Sequence, residues 1–220
     1  MSSNINQILC FLILLPALLF SQASLQDTIF DHTSEDYRNY IEDPETVFLE
    51  IGIFRPIGVG NSVFGEAYSY KSPGFEIDFN WFVVPEITVG AKIDYFNATV
   101  HDKYLTGEIS RTGITSISAH LGYYKAFNRE WNWHVSAGIG HLYYYSRAPE
   151  DKFTEEGTNV FLQNEVAYRF TKNVAIYGKV NLRNDVLRID TTKEYDSYFN
   201  KHTFLTFGFG LRINLQNPGG

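Results

Sequence analysis

The stretch T203-F-L-T-F-G-F-G-L-R-I-N-L215 decides how the rest of the chain is read. Leu205, Phe207, Phe209, Leu211, Ile213 and Leu215 fall on one face of an extended chain, and Thr206, Gly208, Gly210, Arg212 and Asn214 fall on the other. A strand in a soluble protein runs about five or six residues, whereas a tilted strand that crosses a bilayer needs about nine to eleven. The length of this alternation favours a membrane. Its faces agree, because a barrel of about eight strands has little interior room. The bulky apolar face therefore belongs outside, against lipid, and the glycine-bearing polar face inside.

The same period of two recurs along the rest of the chain. Val47, Leu49, Ile51 and Ile53 alternate against Phe48, Glu50, Gly52 and Phe54 in a first strand over about 47–54. Arg55 to Ser72 reads as a loop rich in Gly, Ser and Pro. A second strand over about 74–83 sets Phe75, Ile77, Phe79, Trp81 and Val83 against Glu76, Asp78, Asn80 and Phe82, and a three-residue turn at Val84-Pro85-Glu86 leads to a third over 87–99. Further strands are expected over about 113–126, 131–147, 160–170 and 174–190, with an acidic loop at 148–157 and the closing strand at 203–215. The count is eight. Connections alternate, long after strands one, three, five and seven and about three residues after two, four and six, which is the outer-membrane pattern of short periplasmic turns and longer external loops. The fold class expected is all-β, an eight-stranded antiparallel up-and-down transmembrane β-barrel. The competing arrangement is a soluble lipocalin-like barrel, which would have to bury Trp81, Trp133, Phe79, Phe207 and Phe209 and expose the glycine face. Trp133 and Tyr143 lie ten residues apart on one face; at a tilt near 40° that is roughly 25 Å, the height of an apolar band between aromatic girdles.

The region before the barrel divides in two. Ile8 to Phe20 is an apolar run followed by Ser21-Gln22-Ala23-Ser24, the form of a secretory signal over 1–23 with cleavage after Gln22 or Ala23. Residues 24–46 are polar and acidic and read as a periplasmic lead-in, with the barrel over 47–215 and a tail over 216–220. Cys10 is the only cysteine and lies inside the signal, so the mature chain offers no disulfide and no thiolate metal site. Composition fits the same picture: mean hydropathy is slightly polar at -0.20, yet 16% of residues are aromatic, as alternating lipid-facing and lumen-facing positions produce. A net charge of -7 argues against nucleic-acid binding.

From about Val47 the chain resembles the small eight-stranded outer-membrane barrels of the OmpA and OmpX kind, the outer membrane protein beta-barrel domain family. The resemblance is one of pattern over about 170 residues and carries no short signature of an activity. It implies localisation in the bacterial outer membrane, a monomer, contact with outer-membrane lipids and lipopolysaccharide, and insertion by the barrel-assembly machinery. No cofactor, metal or nucleic acid is expected.

Candidate chemistry is sparse. His134-Val135-Ser136 places a histidine and a serine on one strand face, as in the His-x-Ser pair of the lipid A deacylases, and nucleophile activation needs such a base within reach. Here the pair sits near a short turn and on the glycine face, so it is expected in the lumen, as ordinary polar lining. Glu150, Asp151, Glu155 and Glu156 are expected in a solvated loop, where they could hold a divalent cation with lipopolysaccharide. Tyr143 and Tyr145 are expected in the outer aromatic girdle. The six histidines show no zinc-ligand spacing.

Register yields the sharpest expectation. If Val83 pairs with Ile87, Asp78 stands opposite Lys92; if Phe170 pairs with Val174, Glu165 stands opposite Lys179; closure could add Glu50 near Arg212. These six residues are expected to form a structural ionic network that plugs the lumen. The function expected is a non-enzymatic barrel serving envelope integrity or surface interaction. The alternatives are a narrow pore for small solutes and, further off, a lipid A-modifying enzyme.

Overall fold

The computed structural model describes residues 47–215 apart from 129 and 150. The expected signal, lead-in and tail lie outside the described residues. Eight long strands form the barrel: β1 (Val47–Val59), β2 (Gly74–Val84), β3 (Ile87–Val100), β4 (Arg111–Ala126), β5 (Trp131–Arg147), β6 (Lys152–Arg169), β7 (Val174–Leu187) and β8 (Lys201–Leu215). Each pairs antiparallel with its sequence neighbours, and β1 pairs with β8 to close the sheet. Closure leaves no unpaired edge, which a spanning sheet requires because lipid offers no hydrogen-bond partner. Three short helices lie in the long connections: α1 (Val63–Glu66), α2 (Lys103–Thr106) and α3 (Asp196–Asn200). A two-residue strand, Tyr68–Ser69, pairs with Val100 and Thr99 at the top of β3.

The register fixes the shape. Following cross-strand partners from Phe48 through Asn80, Gly90, His120, Gly138, Phe161, Arg183 and Phe204 returns to β1 at Gly58, ten residues above the start. A stagger of that size over eight strands corresponds to a tilt of roughly 40°. All eight are inward positions, so the path is also a map of the lumen wall.

The outer face is apolar. Phe209, Leu121, Ile139, Leu211 and Ile117 are each more than half exposed, whereas Glu50, Asp78, Lys92 and Arg212 on the inner face are sealed from solvent. A water-soluble barrel would have these reversed. Trp81, Trp131 and Trp133 lie on the outer face at the short-turn end, with Tyr95, Tyr143 and Tyr145 towards the other rim, as interfacial aromatics do.

Several boundaries differ from the expectation; β4 and β8 each begin two residues earlier, at Arg111 and Lys201. β1 continues to Val59, and the supposed loop behind it contains α1 and the Tyr68–Ser69 strand. β6 begins at Lys152 rather than near Val160, so Glu155 and Glu156 are strand residues opposite Tyr144 and Tyr143 and point to opposite faces. The β5–β6 ladder, once zipped, carries its pairing past the polar residues that had read as loop. β7 stops at Leu187, three residues earlier than expected. The turn after β2 has two residues between the paired Val84 and Ile87, and a bulge between Phe82 and Val84 absorbs the difference, so that Asp78 still faces Lys92. Glu86 holds that turn in a left-handed conformation (φ 73°). Its carbonyl accepts from the Tyr124 N–H at 2.7 Å, and its carboxylate accepts from the Tyr123 hydroxyl and Lys125 Nζ, each at 3.2 Å.

Candidate functional site

The site that this fold positions is the lumen together with its mouth. Inward side chains alternate with lipid-facing ones on every strand, so eight strands deliver their polar set to one confined space. A charge there must find a partner or carry a large desolvation cost.

Four cations organise that space in three tiers at successive heights. Nearest the short turns, Arg212 on β8 spreads its guanidinium over three acceptors: Glu50 Oε1 on β1 at 2.8 Å, Asn132 Oδ1 on β5 at 2.6 Å, and Glu165 Oε1 on β6. It lies 4.1 Å above the Phe48 ring, so the planar group is stacked as well as hydrogen-bonded. One side chain thus ties its neighbour β1 to β5 and β6 across the lumen. In the middle tier, Lys179 Nζ meets Glu76 Oε1 at 2.5 Å and Gln163 Oε1 at 3.3 Å. Lys92 donates to the same Gln163 oxygen at 3.2 Å and sits 3.6 Å from the centre of the Phe161 ring. Asp78 accepts from Asn80 Nδ2 at 3.1 Å and shares a 2.8 Å hydrogen bond with His120 Nε2. In the upper tier, Arg183 Nη1 donates to Asp94 at 2.7 Å, while Nε and Nη2 grip Asp185 at 2.5 and 2.9 Å. The Tyr144 hydroxyl donates to the same Asp185 at 2.7 Å.

The six residues expected to form the ionic network all stand on the inner wall and are buried. In register Asp78 is opposite Lys92, Glu165 opposite Lys179 and Glu50 opposite Arg212. Only the last of these pairs is joined by an ion pair. Glu165 turns instead to Arg212, and Lys179 to Glu76. Cross-strand register sets Cβ atoms side by side, but a lysine's reach across the narrow lumen lets a carboxylate on another strand compete. Glu76, Asp94, Arg183, Asp185, His120 and Gln163 belong to the same array and were not picked out from the sequence. Their inward parity was the available signal; which strands face one another across the lumen was not.

Above the third tier the mouth is apolar. Phe54, Phe96, Ile114, Leu142, Tyr144, Leu187 and Phe204 form a buried cluster that α1 enters from the first long connection with Val63 and Phe64. Phe64 stacks on Tyr68 (ring centres 4.1 Å apart) and meets Tyr144 edge-on at 4.9 Å. Local chemistry fixes the insertion. Ser62 caps α1 by accepting from the Gly65 N–H at 3.3 Å, the Tyr70 hydroxyl donates to the Phe64 carbonyl at 2.6 Å, and a Cβ at Gly58 would lie 2.9 Å from that same carbonyl oxygen. Tyr198 in α3 donates to Glu66 at 3.0 Å and joins the first and last long connections. The Gly, Ser and Pro content of 55–72 reads as a loop, and the structure places β1 residues, α1 and the Tyr68–Ser69 strand within it. A Val-Phe pair inside it was the overlooked signal.

His134 and Ser136 are buried in the lumen, but His134 Nε2 hydrogen-bonds the Thr88 hydroxyl at 2.9 Å, and the Ser136 hydroxyl has no hydrogen-bond partner among the described residues. No carboxylate orients His134 Nδ1 among the described residues. The arrangement lacks the base-to-nucleophile contact and the orienting third group of a triad.

Taken together, closed register, apolar exterior and charged interior define an eight-stranded transmembrane β-barrel of the outer-membrane type. No protein-family model matches the chain, and no curated protein matches it in sequence. Among solved structures it is similar to Neisserial surface protein A at a TM-score of 0.53 and 10% identity, over 77% of this chain and 97% of that one. It is also similar to the outer membrane protein OprG of Pseudomonas aeruginosa (TM-score 0.49, 10% identity, 80% and 98% covered) and to Ail, the attachment invasion locus protein of Yersinia pestis (0.45, 12%, 77% and 99%). At 10% identity the likeness to Neisserial surface protein A is one of fold, that of a small outer-membrane β-barrel.

Proposed function

We propose that this is a non-enzymatic barrel whose lumen is closed to solutes and whose long connections act at the cell surface, in envelope integrity or surface interaction. The carrying observation is that charged tiers spanning the lumen are topped by the aromatic cluster into which Phe64 is inserted. Bidentate and stacked guanidinium groups hold opposite walls together, which suits a rigid anchor better than a conduit. The inward placement of His134 and Ser136, away from the lipid face, supports a lining role for both. Proteoliposomes carrying the refolded chain should swell in an isotonic sugar no faster than empty ones. Expression in a host should leave the mass spectrum of its lipid A unchanged. Sugar-dependent swelling would favour the pore, and a shifted lipid A mass would favour the enzyme.

A further inference from the structure

The outer face carries an unexplained row of like charges. Arg111 at the start of β4 stands opposite Arg147 at the end of β5, and Arg147 stands opposite Lys152 at the start of β6, all three exposed. Like charges directly opposite one another destabilise a sheet. None of the three forms an ion pair among the described residues, although Glu108 and Asp151 are close in sequence; Glu156, lower on the same face, is 3.7 Å from His141 instead. Arg111 is also held in place: Asn97 Oδ1 accepts from Arg111 Nε at 2.9 Å and from the Tyr95 hydroxyl at 2.8 Å. The two terminal guanidinium nitrogens, the pair that forks onto a phosphate, make no hydrogen bond among the described residues.

Height supplies the second argument. On the same outward face just below the row lie Tyr145, half exposed, and Tyr143, their rings stacked 6.1 Å apart. Aromatic rings of this kind mark the edge of the hydrocarbon. Arg147 is two residues beyond Tyr145, about 5 Å higher on a tilted strand, which is the level of lipid headgroups rather than of acyl chains or of bulk water.

We infer that Arg111, Arg147 and Lys152 form a binding site for the phosphate groups of a phosphorylated lipid in the leaflet at the long-connection end, with Tyr143 and Tyr145 packing against its chains. Two arginines supply planar forks and the lysine a point charge, so one diphosphorylated headgroup can bridge three strands whose cations otherwise repel. The site lies outside the barrel and does not depend on whether the lumen conducts.

Native mass spectrometry of the refolded full chain in a neutral detergent tests this with three probes: a diphosphorylated glycolipid, its dephosphorylated form, and inorganic phosphate. The wild type should retain the diphosphorylated glycolipid alone. The variant Arg111→Ala/Arg147→Ala/Lys152→Ala should lose about tenfold or more of that retention, as charge-assisted hydrogen bonds to phosphate disappear. Arg111→Lys/Arg147→Lys should hold an intermediate amount. Folding is checked by the mobility difference between boiled and unboiled samples, and Arg147→Gln/Lys152→Gln serves if the triple variant does not fold. Equal retention by wild type and variant, equal retention of the dephosphorylated lipid, or competition by inorganic phosphate as strong as by the lipid would each overturn the assignment.

Discussion

Glu50 and Arg212 meet across the seam where the first strand joins the last, 162 residues apart in the chain and 2.8 Å apart in space. The same guanidinium also binds Glu165, so closure of the barrel and neutralisation of two buried carboxylates rest on one side chain. Arg212→Ala should cost about 3 to 5 kcal/mol, because it strands both acids rather than merely deleting a contact. Arg212→Lys should recover only part of this, since an ammonium cannot reproduce the planar fork. The check is a denaturant titration in lipid, with urea-induced loss of the compact electrophoretic form as the readout. A Lys variant as stable as the wild type would contradict the fork argument.

In the middle tier the ion pair is Lys179 with Glu76 rather than with its register neighbour Glu165. Lys179→Ala should therefore lower thermal stability well beyond Lys172→Ala, which removes a charge only from a turn, and Glu76→Gln should relieve part of the loss while Glu165→Gln should not. The Asp78→Lys/Lys92→Asp exchange, attractive from register alone, should fail to rescue. Asp78 is bonded to His120 and Asn80, and Lys92 to Gln163 and the Phe161 ring, so the exchange misplaces both charges. Melting curves of these variants rank the partners.

On the outer face, Phe209→Arg places a cation against the hydrocarbon and should cost about 2 to 4 kcal/mol near the midplane. Gly178→Ala, also outward, should refold like the wild type because nothing lies within 4 Å of the added Cβ. Gly210→Ala, on the inner face, should refold poorly, since its Cβ would run into the Ile51 carbonyl oxygen of the paired strand. Refolding yield into vesicles separates the three. An inward glycine that accepts alanine as readily as Gly178 would mean that the wall at the β1–β8 seam is looser than its register implies.

Much of this was legible in the sequence for a physical reason. A period of two is imposed by the strand itself, so the parity of Phe209 and Arg212 assigns lipid and lumen without any tertiary knowledge. Short turns fix register, which is why Asp78 and Lys92 could be set opposite each other from the length of one connection. The bulge at Phe82 and the two-residue turn happened to compensate, leaving that register intact. What the sequence hid is what crosses the lumen. Whether Lys179 reaches Glu76 or Glu165 depends on stagger accumulated round eight strands, and no local pattern records it. The insertion of Phe64 was hidden likewise, because a four-residue helix leaves no periodic signature. The first residues of β6 were lost for a related reason: Lys152 to Gly157 is polar apart from Phe153, shows no apolar alternation, and extends a ladder whose pairing is set lower down.

Above the charged tiers, the Phe64 side chain fills the mouth between Tyr68, Tyr144 and Phe204. Phe64→Ala should loosen the first long connection while leaving the barrel folded. A protease added to refolded protein should then cut between residues 60 and 70 faster than in the wild type, with no change in the melting of the strands. Unchanged cleavage would mean that Ser62 and Tyr70 hold α1 without the aromatic contact.

Whether the paired tiers and the seated α1 close the lumen is read from the current across a planar bilayer containing the refolded wild-type chain under a steady voltage. A closed lumen gives no sustained conductance beyond brief flickers. Long-lived channels of uniform size in the wild type would contradict it.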